Sequence, residues 1–243
     1  MRKLMCLMAL IITTAFTARA DNLQFSLQRH TYTEGDKSIS IGMRNTENIP
    51  YLIQANMVWL NEQTGTSTLT KKTEVIPFII TPPLHKLLPD SYYDWRIIFS
   101  GNSNNLPDDR ETLYLAKLLA VPPSLQKEPE NIDISVLRAI NFKIYYRPKS
   151  LASLKIADVQ DKISFRRDSN RLIIKNNSGI YLTLDTLKIG GVSVPDSELF
   201  KPLPPFSEQF FQLPENTPLS KTAEWNLLDE DAFSLDKQSS PLG

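Results

Sequence analysis

Apolar and polar residues alternate along most of this chain. In "YLIQANMVWL", residues 51–60, every second side chain is apolar and falls on one face of an extended chain: Tyr51, Ile53, Ala55, Met57 and Trp59. Shorter stretches with the same period are "KSISIGM" (37–43) and "DWRIIF" (94–99). Successive side chains of a β-strand point to opposite faces of the sheet, so this period predicts strands with one buried face rather than helices.

Turn-forming segments separate the predicted strands. "TPPLHKLLPD" (81–90) and "SGNSNNLPDD" (100–109) are two examples. Short strands punctuated by turns about every 8–12 residues are typical of β-sandwiches. Pro148 lacks the N–H that sheet pairing needs and ends the strand before it, so we place a domain boundary there. The sequence therefore predicts an all-β protein with two β-sandwich domains, residues 21–147 and 150–243, joined by a short linker that leaves a cleft between them.

The first twenty residues predict a secretory signal peptide. Arg2 and Lys3 precede a short apolar run, and the small residues of "ARA" lie directly before Asp21. The apolar run is too short to span a bilayer, so we expect cleavage after residue 20 and no membrane insertion. Cys6, the one cysteine of the chain, lies in this segment, so the exported protein is expected to lack disulfides and cysteine ligands. This combination favours the periplasm of a Gram-negative bacterium.

Candidate chemistry is sparse in this sequence. The charges balance at 27 basic and 27 acidic side chains, with no basic stripe of the kind that binds nucleic acid. His30 and His85 stand apart from each other and from any HExxH or GxSxG motif, so we expect both to be surface or strand-end residues. For the acidic run 229–231, a solvated edge or an internal salt-bridge partner is favoured over a cation site. No catalytic residue, metal ligand or cofactor is predicted, and nothing favours an enzyme.

One segment is unusual for its length. In "NIDISVLRAINFKIYYRP", residues 131–148, the apolar alternation runs through side chains of one parity: Ile132, Ile134, Val136, Ile140 and Phe142. Arg138 interrupts this series. An ordinary core strand would explain the alternation, but strands usually have about 3–10 residues. A strand that extends beyond its own sheet offers an edge on which another chain can pair.

The order and spacing of several motifs resemble the periplasmic chaperones of the chaperone–usher pilus pathway. The strongest are "LQRHTYTEGDKSISI" (27–41), "IPYLIQANM" (49–57), "FIITPPLHKL" (78–87), "NLPDDRETLYLAKLLAVPP" (105–123) and "FKIYYRP" (142–148), with weaker matches in "IKNNSGIYLTL" and "PPFSEQFF". The resemblance implies two immunoglobulin-like β-sandwich domains arranged as an L or boomerang around an interdomain cleft. It also implies a protein that binds unassembled pilin subunits, completes their fold by donor-strand complementation, and delivers them to an outer-membrane usher.

The resemblance assigns roles to individual residues. Arg29 and Lys143 correspond to the cations on the cleft floor that bind the C-terminal carboxylate of the pilin. The donor strand corresponds to residues about 132–142, whose apolar side chains are Ile132, Ile134, Val136 and Ile140. The chemistry of these two side chains agrees with a role in carboxylate binding, because a free carboxylate can accept hydrogen bonds from a guanidinium group and an ammonium group at once.

The same family carries a salt bridge between its domains. Here the bridge corresponds to Glu111 and Arg147, with Glu230 as its third member and Asp229 or Asp231 as alternatives, because the family's usual closing motif is missing.

Arg138 departs from the family pattern, since it occupies a position where the donor strand usually carries a large apolar side chain. Either a one-residue bulge lets Leu137 take that position, or the groove of the partner is more polar there.

Two other classes of function fit the sequence less well. A pilus structural subunit or adhesin would carry a donor extension at its mature N-terminus, whereas "DNLQFSLQRH" enters the first predicted strand almost at once. A sugar-acting enzyme on a β-sandwich would need paired carboxylates facing one cleft, and the sequence nominates none. Because an apolar edge invites pairing, a self-capping homodimer of the free protein is a further expectation.

Overall fold

The computed structural model describes residues 22–68, 75–123 and 137–243, and strands dominate this part of the chain. Within it, ten strands precede Pro148: β1 Leu23–Phe25, β2 His30–Thr33, β3 Ile39–Asn45, β4 Tyr51–Asn61, β5 Thr66–Ser67, β6 Phe78–Thr81, β7 Leu84–Leu87, β8 Tyr92–Phe99, β9 Thr112–Val121 and β10 Arg138–Arg147. One sheet has the order β1–β3–β8–β6. The other has the order β2–β10–β9–β4–β5, with β7 also paired to β4.

Period-two alternation builds the core of this first sandwich. The enclosed side chains come from alternate positions of β3, β4 and β8: Ile41, Met43, Ile53, Trp95 and Ile97. Their neighbours Gln54 and Arg96 are exposed. Sequence parity thus decides which face of each sheet is buried between the two layers.

Seven further strands form the second sandwich: β11 Ile163–Asp168, β12 Arg171–Asn176, β13 Leu184–Ile189, β14 Val192–Ser193, β15 Ser207–Gln212, β16 Thr222–Leu227 and β17 Gln238–Pro241. They make a β11–β12–β15 sheet and a β14–β13–β16–β17 sheet. The short helix α1, Asp196–Leu199, lies between β14 and β15, and 3-10 turns cover Ser103–Asn105, Lys149–Leu151 and Ile156–Lys162. The core between the sheets includes Leu172, Ile174, Phe211, Trp225 and Leu227.

A third, smaller apolar cluster joins the two sandwiches. Leu60, Leu113, Leu115 and Tyr145 come from β4, β9 and β10, and Tyr181 comes from the loop between β12 and β13. All five are buried. The outer face of the first domain's second sheet is therefore covered in part by the second domain, and this contact fixes the surroundings of the candidate site.

The predicted two-domain all-β fold is confirmed. Strand β10 ends at Arg147, directly before Pro148, while the domain limits 21–147 and 150–243 stay a prediction. Residues 1–20, with the predicted signal peptide, lie outside the described residues. Across the described ranges, no helix is long and apolar enough to cross a membrane.

The predicted donor strand falls only partly within the described residues. Ile132, Ile134 and Val136 lie outside them. Ile140 is described, and its side chain packs partly buried against the core of its own domain, next to Phe142. The Ile140 side chain therefore contributes to the core of its own domain.

Candidate functional site

Strands β2 and β10 bring Arg29 and Lys143 to one place. β2 pairs with β10 in parallel, with His30 opposite Ile144. Arg29 and Lys143 each precede one member of this pair, so they lie at the same level of the sheet. Since side chains alternate along β10, those of Phe142 and its even-numbered neighbours enter the first core, and Lys143 faces the second domain.

Strand β10 has an open edge that ends at Lys143. β9 pairs with β10 along residues 138–146, whereas β2 pairs with it only along residues 144–147. In the part of the chain that the structure describes, residues 138–143 therefore have a strand partner on one side only. The N–H and C=O groups on the other side are available to a further strand.

Lys143 has a hydrogen bond but no anionic partner among the residues that the structure describes. Its Nζ donates to the Phe200 carbonyl oxygen at 3.2 Å, which links the first domain to the loop after α1. No carboxylate of the described residues lies within 4.0 Å of the ammonium group. Burial, and secondarily the charge of Arg29, lower the pKa of Lys143 from 10.5 to about 8. The ammonium group is thus a partly desolvated cation that an anion would stabilise.

Arg29, in contrast, has a carboxylate partner at the junction of the domains, although its buried Nε has no hydrogen-bond partner within the described residues. Its Nη2 forms an ion pair with Glu111, and its Nη1 donates to the Tyr181 carbonyl oxygen at 3.1 Å. The guanidinium carbon lies 3.5 Å from the centroid of the Tyr145 ring. Burial lowers the pKa of Arg29, but Glu111, Tyr145 and Glu230 together outweigh burial and raise the pKa above its ordinary value. Arg29 was predicted as a carboxylate anchor, and the structure also makes it an interdomain contact.

Glu111 is the centre of the ionic cluster. Its Oε1 accepts from Arg147 Nε at 2.8 Å, and its Oε2 accepts from Arg29 and from the backbone N–H of Tyr181, the latter at 2.8 Å. Arg147 Nη1 also donates to the Leu154 carbonyl oxygen at 2.7 Å. Glu111 is 2% exposed and Arg147 is 6% exposed. A carboxylate this deeply buried needs several donors to offset its desolvation, and here it has three.

Glu230, predicted as the third member of the salt bridge, meets this cluster without a direct ion pair, although its charge contributes to the raised pKa of Arg29. No described side chain forms an ion pair with Glu230, and Arg29 is the second cation on Glu111. Glu230 Oε1 instead accepts from the backbone N–H of Ile156 at 2.9 Å, at the start of the Ile156–Lys162 turn, where such N–H groups lack helical partners. The Glu230 carbonyl oxygen accepts from Arg29 N at 2.8 Å, so the residue still belongs to the interdomain junction.

The alternative acid Asp229 also serves a local purpose. Its Oδ1 accepts from the backbone N–H groups of Asp231 at 3.0 Å and Phe233 at 2.8 Å. These bonds close a turn within the acidic run, so the Asp229 carboxylate is directed to its own loop.

Arg138 lies at the start of the described edge of β10. It forms an ion pair with Glu47, and the Tyr51 hydroxyl donates to Oε2 of the same carboxylate at 2.6 Å. The register between β10 and β9 has no shift from Arg138 to Tyr146, so this stretch has no bulge that would move Leu137 into the position of Arg138. A paired and 42% exposed charge therefore interrupts the apolar face of the strand.

Both histidines pack against aromatic side chains. His30 starts β2 and is buried rather than on the surface, with its ring centroid 5.6 Å from that of Phe142. His85 stacks on Tyr93 with ring centroids 3.6 Å apart. Among the residues in the described ranges, no group of three or more His, Cys, Asp or Glu is arranged to hold a metal ion.

Two family models together match most of the chain. Residues 22–152 match the pili and flagellar-assembly chaperone PapD N-terminal domain, and residues 158–231 match the pili assembly chaperone PapD C-terminal domain. The chain belongs to the PapD family of pilus-assembly chaperones. The prediction from the order of the motifs is confirmed, and a pilus structural subunit or adhesin is not favoured.

Relatives of the PapD family resemble the chain along most of their length. The probable fimbrial chaperone ElfD of Escherichia coli is 32% identical over 204 residues, which make up 84% of this chain and 80% of ElfD. A chain of the Salmonella enterica SafA pilin–SafB chaperone complex has a TM-score of 0.74 at 22% identity, covering 91% of this chain and 96% of its own length. The E. coli chaperone DraB has a TM-score of 0.72 at 23% identity, with coverages of 91% and 98%. These structural likenesses show the shared fold.

Sequence reasoning missed the contribution of the second domain to this PapD-family site. The Phe200 carbonyl oxygen accepts from Lys143, and the backbone of Tyr181 both donates to Glu111 and accepts from Arg29. Any residue type can supply a backbone group, so these contacts leave no signature in composition or spacing. The signal that was available is weak: Tyr181 lies in "IKNNSGIYLTL", one of the fainter family matches.

Proposed function

We propose that this chaperone binds one unassembled pilin subunit along the open edge of β10 and holds the C-terminal carboxylate of that subunit at Lys143 and Arg29. The observation that carries this proposal is that the open edge ends at Lys143, where β2 begins to occupy the same side of β10. A subunit strand that pairs there with its C-terminal end at Lys143 runs parallel to β10. Its terminal carboxylate then meets Lys143, a cation that has no counter-charge within the described part of the chain.

Lys143 and Arg29 have different roles in binding the subunit's carboxylate in this proposal. Two N–H groups of Arg29 are committed to Glu111 and to the Tyr181 carbonyl oxygen, so Lys143 supplies the more accessible donor. Arg29 supplies a fixed positive charge beside it. A charge-assisted hydrogen bond of this kind contributes roughly 1.5–3 kcal/mol, and backbone pairing along the edge adds to it.

The donor strand of the proposal is the segment of about 132–142 that precedes and enters β10. Its apolar side chains Ile132, Ile134 and Val136 would fill the subunit's groove, and Ile140 would lie where the groove meets the chaperone's own core. This role requires binding and no catalytic step.

Export, delivery and self-association complete the proposal. The chain reaches the periplasm after cleavage before Asp21, which N-terminal sequencing of the periplasmic protein tests directly. It transfers the subunit to an outer-membrane usher. Without a subunit, a second copy covers the open edge of residues 138–143, and sedimentation at increasing concentration then shows a monomer–dimer equilibrium.

The decisive experiment is periplasmic co-expression with the pilin subunit of the same operon, followed by recovery of the complex. We expect Lys143→Ala to abolish recovery while the chaperone keeps its circular dichroism spectrum. Lys175→Ala, at an exposed lysine of β12 in the second domain, is the matched control and should recover the subunit normally. Equal recovery with Lys143→Ala and Lys175→Ala would contradict the anchoring role.

A further inference from the structure

The tip of the β4–β5 hairpin, residues 61–65, reaches across to the second domain. Glu62 makes two contacts there: its Oε1 accepts from the Tyr181 hydroxyl at 2.6 Å, and its carbonyl oxygen accepts from Gln209 Nε2 at 2.8 Å. Burial, and then the charge of Glu62, raise the pKa of Tyr181, so its hydroxyl stays protonated and remains a donor. The hairpin is thus tied to two separate parts of the second sandwich.

Hydrogen bonds within the hairpin tip make it suited to a rigid contact. Asn61 Oδ1 accepts from the backbone N–H groups of Gln63 at 3.0 Å and Thr64 at 3.3 Å. The Asn61 carbonyl oxygen accepts from Gly65 N at 2.8 Å. An asparagine that closes a turn in this way holds the tip in one conformation.

Gly65 packs closely against the backbone of the second domain. Its φ is +72°, and a Cβ built on it would lie 2.5 Å from the Phe200 carbonyl oxygen. That oxygen is the acceptor of Lys143 Nζ. The backbone of the hairpin therefore packs directly against the atom that binds the anchoring lysine.

The second domain holds the Phe200 segment firmly from its own side. Lys201 Nζ donates to Glu198 Oε2 at 2.6 Å and to the Phe210 carbonyl oxygen at 3.2 Å. Gln209 Nε2, which binds Glu62, also donates to the Pro202 carbonyl oxygen at 3.0 Å. The Phe200 carbonyl group is consequently held between its own domain and the hairpin.

We propose that the hairpin tip of residues 61–65 is an interdomain strut, in which Glu62 and Gly65 are positioning residues for the Phe200 carbonyl group and, through it, for Lys143. The strut is separate from the ionic cluster but meets it at Tyr181, whose backbone binds Glu111 and Arg29. Its effect on subunit binding rests on the proposed function, whereas its effect on Lys143 in the free protein does not.

The test replaces Gly65 with alanine. The added Cβ moves the hairpin away from Phe200, Lys143 loses burial, and its pKa should rise from about 8 by about one unit or more. The measurement is an NMR titration of the Lys143 side chain, assigned with Lys143→Arg. Gly191→Ala is the matched control, because Gly191 also has a left-handed φ of +83° but no atom within 4 Å of its built Cβ.

A second pair of variants separates positioning from general stability. Glu62→Ala removes the acceptor of the Tyr181 hydroxyl and should shift the Lys143 titration upward, whereas Glu62→Gln keeps an oxygen acceptor and should leave it near wild type. An unchanged Lys143 titration in Gly65→Ala, or an equal shift in Gly65→Ala and Gly191→Ala, would overturn the strut.

The affinity for the pilin subunit is measured in a separate experiment. We expect Gly65→Ala to weaken subunit binding about tenfold, the effect of losing one charge-assisted contact, and Gly191→Ala to leave it unchanged. A wild-type protein that binds no subunit would refute the proposed function, and the Lys143 titration would still decide on the strut.

Discussion

Two charged sites lie side by side between the sandwiches, the cluster around Glu111 and the Lys143 ammonium group. They differ in whether the described residues supply an oppositely charged partner. The Glu111 carboxylate is surrounded by Arg29, Arg147 and a backbone N–H group and is 2% exposed. The Lys143 ammonium group, at the same level of the sheet as Arg29, has one carbonyl acceptor and no carboxylate within the described residues. A buried charge stabilises a fold only when its partners are in place.

The comparison indicates a division between structure and function. The Glu111 cluster links the two domains before any partner arrives. Lys143 keeps a positive charge that no carboxylate of the described ranges neutralises, which favours specificity for a chain terminus. The predictions below test whether these two roles are separable.

The largest effect is expected for Glu111→Ala. It leaves the guanidinium groups of Arg29 and Arg147 buried without their counter-charge, so the free energy of unfolding should fall by about 3–5 kcal/mol in urea titrations. Glu224→Ala, which removes an exposed ion pair with Lys237, should leave the urea midpoint nearly unchanged. If Glu111→Ala and Glu224→Ala shift the midpoint equally, the Glu111 cluster does not hold the domains together.

The next effect concerns the pH dependence of subunit binding. The pKa of Lys143 in the free protein is about 8, and a bound carboxylate raises it. Binding therefore takes up a proton above this pH, and the affinity should fall by about tenfold per pH unit there while staying flat at lower pH. Calorimetric titrations between neutral and alkaline pH measure this slope.

Lys143→Arg is the control for that slope, because a guanidinium group keeps its proton throughout this range. Its binding curve should be flat with pH even if its affinity is lower. A wild-type slope retained in Lys143→Arg would show that another group titrates.

Parity along the chain was sufficient to predict the β-sandwich layers and the apolar face of the strand that ends at Arg147. Phe142 and Lys143 are neighbours, and alternation sends the first into the core and the second to the interdomain side. Resemblance to the family then drew attention to Glu111 and Arg147, which the structure has 2.8 Å apart. Both inferences depend on side-chain type and position, which a sequence contains.

Docking of the two domains could not be derived in that way. The Phe200 carbonyl group and the Tyr181 backbone enter the site only because of how one sandwich meets the other. The acidic run 229–231 offered three similar carboxylates, and the local turn decides which of them reaches the Ile156 N–H group. Glu230 lies at the junction as predicted, but its carboxylate accepts from a backbone N–H group and forms no direct ion pair with a described side chain.

A smaller effect is expected for Lys143→Met on stability. Because the folded pKa of Lys143 is lowered, the unfolded state holds the proton more tightly between about pH 8 and 10.5. The destabilisation is complete below that window and disappears as the pH rises through it. An apolar side chain of similar length should therefore increase the free energy of unfolding at neutral pH by up to about 1 kcal/mol.

The gain from Lys143→Met should shrink as the pH approaches 10.5, and Lys175→Met at an exposed site should show no such change. Urea titrations at neutral and alkaline pH provide both measurements. A loss of stability in Lys143→Met would mean that Lys143 supports the fold, and the contrast with the Glu111 cluster would be wrong.

The smallest effect is expected at Arg138. It resembles Glu111 in having an ion-pair partner, but its side chain is far more exposed. Its ion pair with Glu47 is complete, but its side chain is 42% exposed, so solvent screens the interaction. The coupling energy between Arg138→Ala and Glu47→Ala, from a double-mutant cycle in urea, should be below about 1 kcal/mol and should decrease with added salt. A coupling as large as that expected at Glu111, unchanged by salt, would move Arg138 into the class of buried structural charges. It would then also argue against a role for Arg138 in meeting a more polar groove of the partner, since a charge needed by the fold is not available to the subunit.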